Sequence, residues 1–128
     1  MVPFAALADD LRGEGFSGAG TILAQGFHIG GNMRVAFPEA RIVDAGSPAK
    51  VWPQPAGDGQ CLILWQERDP QRTEAEKANL RGYLAGQLGG SPDAPHREGV
   101  VSEPMFGSKT RQYQMQFALY DAPEGDCR

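Results

Sequence analysis

The sequence predicts an α+β fold, an antiparallel or mixed β-sheet with two helices packed on one face, and three stretches carry that prediction. Cys61-Leu62-Ile63-Leu64-Trp65 is apolar at every position, with Cys61, Ile63 and Trp65 on one side and Leu62 and Leu64 on the other. A strand of that kind is covered on both faces. A helix signal follows at once: Asp69 before Pro70, Thr73 and Glu76 spaced as a capping box, an apolar stripe, and a stop at Gly89-Gly90-Ser91-Pro92. In the third stretch Tyr113, Met115, Phe117 and Leu119 alternate with Gln112, Gln114 and Gln116. That period of two places one face on a core and the other in water or against a polar partner.

The remaining elements are weaker. Pro3 to about Gly13 reads as a first helix, with Phe4, Leu7, Ala8 and Leu11 on one stripe. Strand signals begin at 21–25, then at 27–29 and 33–37, with Gly30-Gly31-Asn32 as the turn of a hairpin and Gly26 as a bulge. Residues 41–44 and 50–52 are shorter apolar pieces, held at edges or in loops by Pro38, Pro48, Pro53 and Pro55. Ser91 to Gly99 reads as a polar loop, and Val100 to Phe106 as a strand that lies at an edge or bulge at Pro104, which cannot donate to a ladder. Gly107 to Thr110 turns it back into the alternating strand. The whole is one domain over 1–120, with 121–128 as a loose C-terminal tail.

Composition narrows the classes. Apolar residues at 41% and charged residues at 22% fit a globular chain, and 17 Gly with 10 Pro fit a turn-rich β frame. A net charge of −4 excludes a protein that grips nucleic acid through a broadly basic face. No signal peptide or membrane span is expected: the start lacks a basic region, and Asp9 and Asp10 follow closely. Two cysteines are too few for a disulfide framework, so Cys61 reads as a small buried hydrophobe and Cys127 as a free thiol on the tail.

The helix from Glu74 to Leu88 has two apolar sides. Leu80, Leu84 and Leu88 fall in one arc and should face the sheet, while Ala75, Ala78, Gly82, Ala85 and Gly86 lie opposite. A glycine inside a helix costs about 1 kcal/mol relative to Ala, so the small side calls for an explanation. Either it lets another backbone approach, as a subunit interface would, or a Gly- and Ala-rich composition put it on a solvent face.

No catalytic, cofactor-binding or metal-ligating set emerges. Gly15-Phe16-Ser17-Gly18-Ala19 falls short of a nucleophile elbow, because no apolar strand leads into it and Ala19 stands at its last position. His28 and His96 are the only histidines, one placed in a strand by this reading and one in a loop. The glycines at 26–31 match neither dinucleotide nor phosphate loops, and Cys/His ligand spacing is absent.

The helix at Phe4 to Leu11, the strand at Cys61 to Trp65, the helix at Glu74 to Leu88 and the strands at Val100 to Phe106 and Gln112 to Tyr120 form an order that resembles the small tail-terminator and head-to-tail joining proteins of tailed bacteriophages. The resemblance implies a non-enzymatic homo-oligomer, a hexameric ring that caps the tail tube and joins it to the head connector. It further implies contacts with other tail or neck proteins through strand edges and the small helix side, and no cofactor. DNA would pass through the lumen without specific binding. Such a protein sits in the virion tail or neck and assembles in the host cytoplasm. The competing expectation is a small acidic binding module of the inhibitor or immunity type, with a small hydrolase using His28 or His96 as the third.

Overall fold

The computed structural model describes residues 2–44, 59–66, 82, 95–107 and 109–121. The chain opens with α1 (Phe4–Gly13), followed by β1 (Thr21–Ala24), α2 (Phe27–Ala36), β2 (Arg41–Asp44), β3 (Gln60–Trp65), β4 (Arg97–Pro104) and β5 (Gln112–Asp121). The strands form one mixed sheet in the order β2-β1-β3-β5-β4. The β1 strand is parallel to both β2 and β3, and β5 is antiparallel to both β3 and β4. This is the α+β class that the sequence predicts.

In α1 the expected stripe is the buried one: Phe4, Leu7, Ala8 and Leu11 all face the core. Arg12, near its end, reaches over to α2, where its guanidinium lies 4.6 Å from the centre of the Phe37 ring and Nη2 donates to the Ala36 carbonyl at 3.2 Å. A cation there meets the last, unsatisfied carbonyls of α2. The two helices share a core cluster with Ile22, Ile42, Leu62, Leu64, Met115, Phe117 and Leu119.

Residues 27–37 are not a hairpin. Phe27–Ala36 form α2 with Phe37 as its C-terminal cap, and Gly26 is its N-terminal cap rather than a bulge, with φ +84. Ile29, Met33 and Phe37, spaced by four, are all buried, whereas His28, Gly31, Arg34 and Val35 are exposed. Helical spacing therefore sorts the apolar residues better than alternation does. The parallel pairing of β1 with β2 agrees with this, since parallel neighbours need a crossover connection, which is usually a helix.

The β3 strand is buried from Cys61 to Trp65 on both faces, as expected. Its second face joins Leu23, Val43, Ala118 and Tyr120, a cluster that, among the described residues, takes none of its members from α1 or α2. Cys61 is corrected in one respect: it is buried, but it is disulfide-bonded. The chain's one other cysteine, Cys127, lies outside the described residues.

The antiparallel half differs in detail from expectation. Strand β4 begins at Arg97, so residues 97–99, expected in a loop, are paired with Leu119, Ala118 and Phe117. It is the edge strand and ends at Pro104, as that proline requires. In β5 the predicted inner set is buried, and Gln112 and Gln114 are exposed, but Gln116 is buried. At residue 116 the strand is flanked on both sides, by Trp65 and by Val100, whereas 112–115 are paired with β4 alone. The strand also runs to Asp121, one residue into the expected tail. The helix expected at Glu74 to Leu88 lies outside the described residues except for Gly82, which is helical and partly buried.

Candidate functional site

Of the small-sided helix surface, Ala75, Ala78, Ala85 and Gly86 lie outside the described residues, and Gly82 alone has a described environment. The remaining sequence candidates resolve into structural roles. Ser17 sits in the loop between α1 and β1, where its backbone N–H donates to Gln60 Oε1 at 2.7 Å and its Oγ accepts from Ala19 N at 3.2 Å. Gln60 also donates through Nε2 to the Gly15 carbonyl at 3.1 Å, so one side chain of β3 holds that loop at two points. Gly20 completes the approach: a Cβ there would stand 2.7 Å from the Gln60 carbonyl oxygen, which no other residue tolerates without displacement.

His28 lies exposed on the first turn of α2, edge-on to Phe4 with ring centres 5.4 Å apart, and Phe4 in turn stands edge-on to Tyr113 at 5.7 Å. Its backbone carbonyl accepts from Asn32 Nδ2 at 2.7 Å, and the imidazole is far in the fold from the Ser17 loop, which lies at the other end of α1. His96 is exposed and ties its loop down by donating its backbone N–H to the Leu119 carbonyl at 2.8 Å. Among the described residues no group of three or more His, Cys, Asp and Glu is placed to hold a metal ion.

In open α/β sheets the crevice at the carboxyl ends of the strands, where strand order reverses, is the usual ligand position. Here that point lies between β1 and β3, and Gln25 occupies it. Its backbone N–H donates to the Leu64 carbonyl at 3.0 Å and its Oε1 accepts from Gln66 N at 3.0 Å. The N-terminus of α2 begins beside it at Gly26 with no side-chain cap. The indole N–H of Trp65 is buried with no acceptor, but Trp65 belongs to the cluster on the other face of the sheet from α2. The polar groups at the reversal thus do not converge on one space.

A different surface stands out at the β4–β5 hairpin. Pairing with β3 ends at Trp65 opposite Gln116, so residues 112–115 carry the hairpin about four residues, roughly 13 Å, past the end of β3. The turn is closed by Met105 N–H donating to the Arg111 carbonyl at 3.0 Å. At the tip Phe106 is 65% exposed, in a protein whose only other exposed large apolar side chains among the described residues are Val35 and Val100. Lys109 and Arg111 flank it, both exposed.

The opposite end of the same layer is acidic. Asp9 and Asp10 on the second half of α1 and Glu14 just beyond it gather around one helix terminus, with Asp9 held by Arg12 at 3.2 Å and Glu14 by Arg97. Asp10 has no ionic partner among the described residues, and its carboxyl is pushed up from its ordinary value by desolvation first, then by Asp9 and Glu14. A helix C-terminus carries partial negative charge and favours cations, so these carboxylates sit at the less favourable end, while the first turn of α1 has no acid at all. Sequence reading assigned Phe106 to a strand and passed over the acids. The first was legible from Phe106-Gly107 beside Lys109 and Arg111, the second from the reversed charge order along α1.

The described residues thus define an α+β protein with a mixed five-stranded sheet, whose β4–β5 hairpin runs past the end of β3. Comparison with protein families, curated proteins and solved structures finds no match for the chain.

Proposed function

We propose that this protein is a non-enzymatic structural subunit of a tailed-phage tail or neck, which assembles with its own copies into a ring that caps the tail tube and joins it to the head connector. The observation that most supports this reading is the order of elements around β3. An opening helix lays its stripe on the sheet, β3 runs through the centre, and a β4–β5 hairpin returns so that its second strand pairs with β3. The resemblance rests on that order together with a helix at Glu74 to Leu88, which lies outside the described residues except for Gly82, and α2 is an addition to it within 21–44. The hairpin and the two sheet edges, β2 and β4, give such a subunit surfaces from which repeated contacts can be built. An acidic total charge suits a lumen that passes DNA without retaining it.

The test is the mass and shape of the purified full chain. Sedimentation velocity with negative-stain microscopy should show a closed ring of several copies, hexameric in the simplest case, that attaches to the ends of isolated tail tubes. A monomer at every concentration, with no density added at tube ends, would overturn the reading and favour the inhibitor- or immunity-type module.

A further inference from the structure

We infer that the ring contact is head to tail, with the β4–β5 hairpin tip of one copy, Phe106 and Lys109, docked on the acidic end of α1 of the next, at Asp10 between Asp9 and Glu14. This rests on the ring reading above and names the surface that builds it.

The two ends of one protomer differ in character. The tip lies beyond Pro104, whereas Arg97, at the start of the same strand, is paired with Glu14 at the acidic end. Seven steps of β4 separate them, roughly 23 Å, so the tip cannot reach the acidic end of its own chain. A neighbouring copy can bring the two together. The tip is apolar and basic: Phe106 is 65% exposed, and Lys109 has no ionic partner among the described residues. The α1 end is acidic, and Asp10 is the carboxylate there that neither Arg12 nor Arg97 neutralises. Its raised proton affinity comes first from desolvation and then from the neighbouring Asp9 and Glu14 carboxylates.

Charge also disfavours two of the two-fold contacts. A two-fold contact tip to tip would bring Lys109 and Arg111 against their own copies, and one between acidic ends would bring carboxylates together, both repulsive. An antiparallel two-fold pair would also set each tip on the other copy's acidic end, but it stops at a dimer, and the heterologous form of the same contact is the one that closes into a ring. Phe106 gains burial in that contact, and the charges set its orientation and speed.

Charge reversal tests this directly, because Phe106, Lys109 and Asp10 lie outside the core and their substitution leaves the fold intact, which circular dichroism and the melting temperature verify. Lys109→Glu and Asp10→Lys should each raise the concentration at half-assembly by about tenfold or more, and Phe106→Ser should do the same. The double variant Lys109→Glu with Asp10→Lys should recover assembly, since each reversed tip again meets an opposite charge on its neighbour. Raising the salt concentration should weaken the wild-type assembly and leave the Phe106 contribution in place. If the wild type forms rings and both single reversals assemble as well as it does, the contact proposed here is wrong and the ring reading stands. If the double variant assembles no better than the singles, the two residues do not meet and the contact is again wrong. A wild type that never assembles removes both.

Discussion

The two halves of the sheet do different work. On the parallel side, β1 is buried at all four positions, and α2 crosses over to lay Ile29, Met33 and Phe37 on it. On the antiparallel side, β4 buries Val101 while most of its length stays exposed, and the far part of β5 is buried on one face only. A strand between two neighbours and under a helix contributes to stability, and a hairpin beyond the sheet contributes surface. The same residue type should therefore give opposite readouts in the two places. Phe37, fully buried, edge-on to Phe16 at 5.1 Å and covered by Arg12, anchors the parallel half. Phe37→Ala should cost about 3–5 kcal/mol, read as a lower urea midpoint at an unchanged slope, while Phe106→Ala should stay within about 0.5 kcal/mol. Equal losses at the two sites would erase the distinction between a supporting half and a contacting half.

The strand that joins the halves offers the next effect. Parallel to β1 on one side and antiparallel to β5 on the other, β3 carries Cys61 at the point where Thr21 and Tyr120 flank it. Because that cysteine is disulfide-bonded, reduction should lower the stability of the whole sheet rather than of one half, by about 2–4 kcal/mol. Unfolding with and without a reductant, followed at the tryptophans, is the measurement. Superimposable transitions would mean that the bridge adds nothing, and a loss confined to the hairpin would mean that β3 does not couple the halves.

How much of this was legible follows the same division. Residues 61–65 and 112–120 announce themselves because their patterns have one interpretation each: apolar throughout, or a strict period of two. The stripe of α1 was equally plain. Between 26 and 37 two signals compete, because Gly30-Gly31-Asn32 has the chemistry of a hairpin turn while Ile29, Met33 and Phe37 keep the period of a helix. Tertiary context decides for the helix, since β1 and β2 are parallel neighbours, and strand pairing is not written locally. The burial of Gln116 was illegible for a similar reason: it depends on which strands flank β5 at that residue. The hairpin tip and the acidic end were present in the sequence as charges, but only the geometry sets them at opposite ends of one layer.

That competition yields the smallest and sharpest prediction. Gly31 lies on the exposed side of α2, and a Cβ built there meets nothing within 4 Å. In a helix interior Ala is better than Gly by about 1 kcal/mol, so Gly31→Ala should raise the melting temperature by a few degrees, an effect drawn from the helix alone. In a hairpin turn at 30–32 the same glycine would supply a positive φ, and Ala would be strained there. The sign of the change thus separates the two folds of one segment, with no dependence on assembly or on the hairpin. A stabilised variant with slightly more helical ellipticity agrees with the parallel crossover. A destabilised one would return residues 27–37 to a turn and remove the helical crossover between β1 and β2.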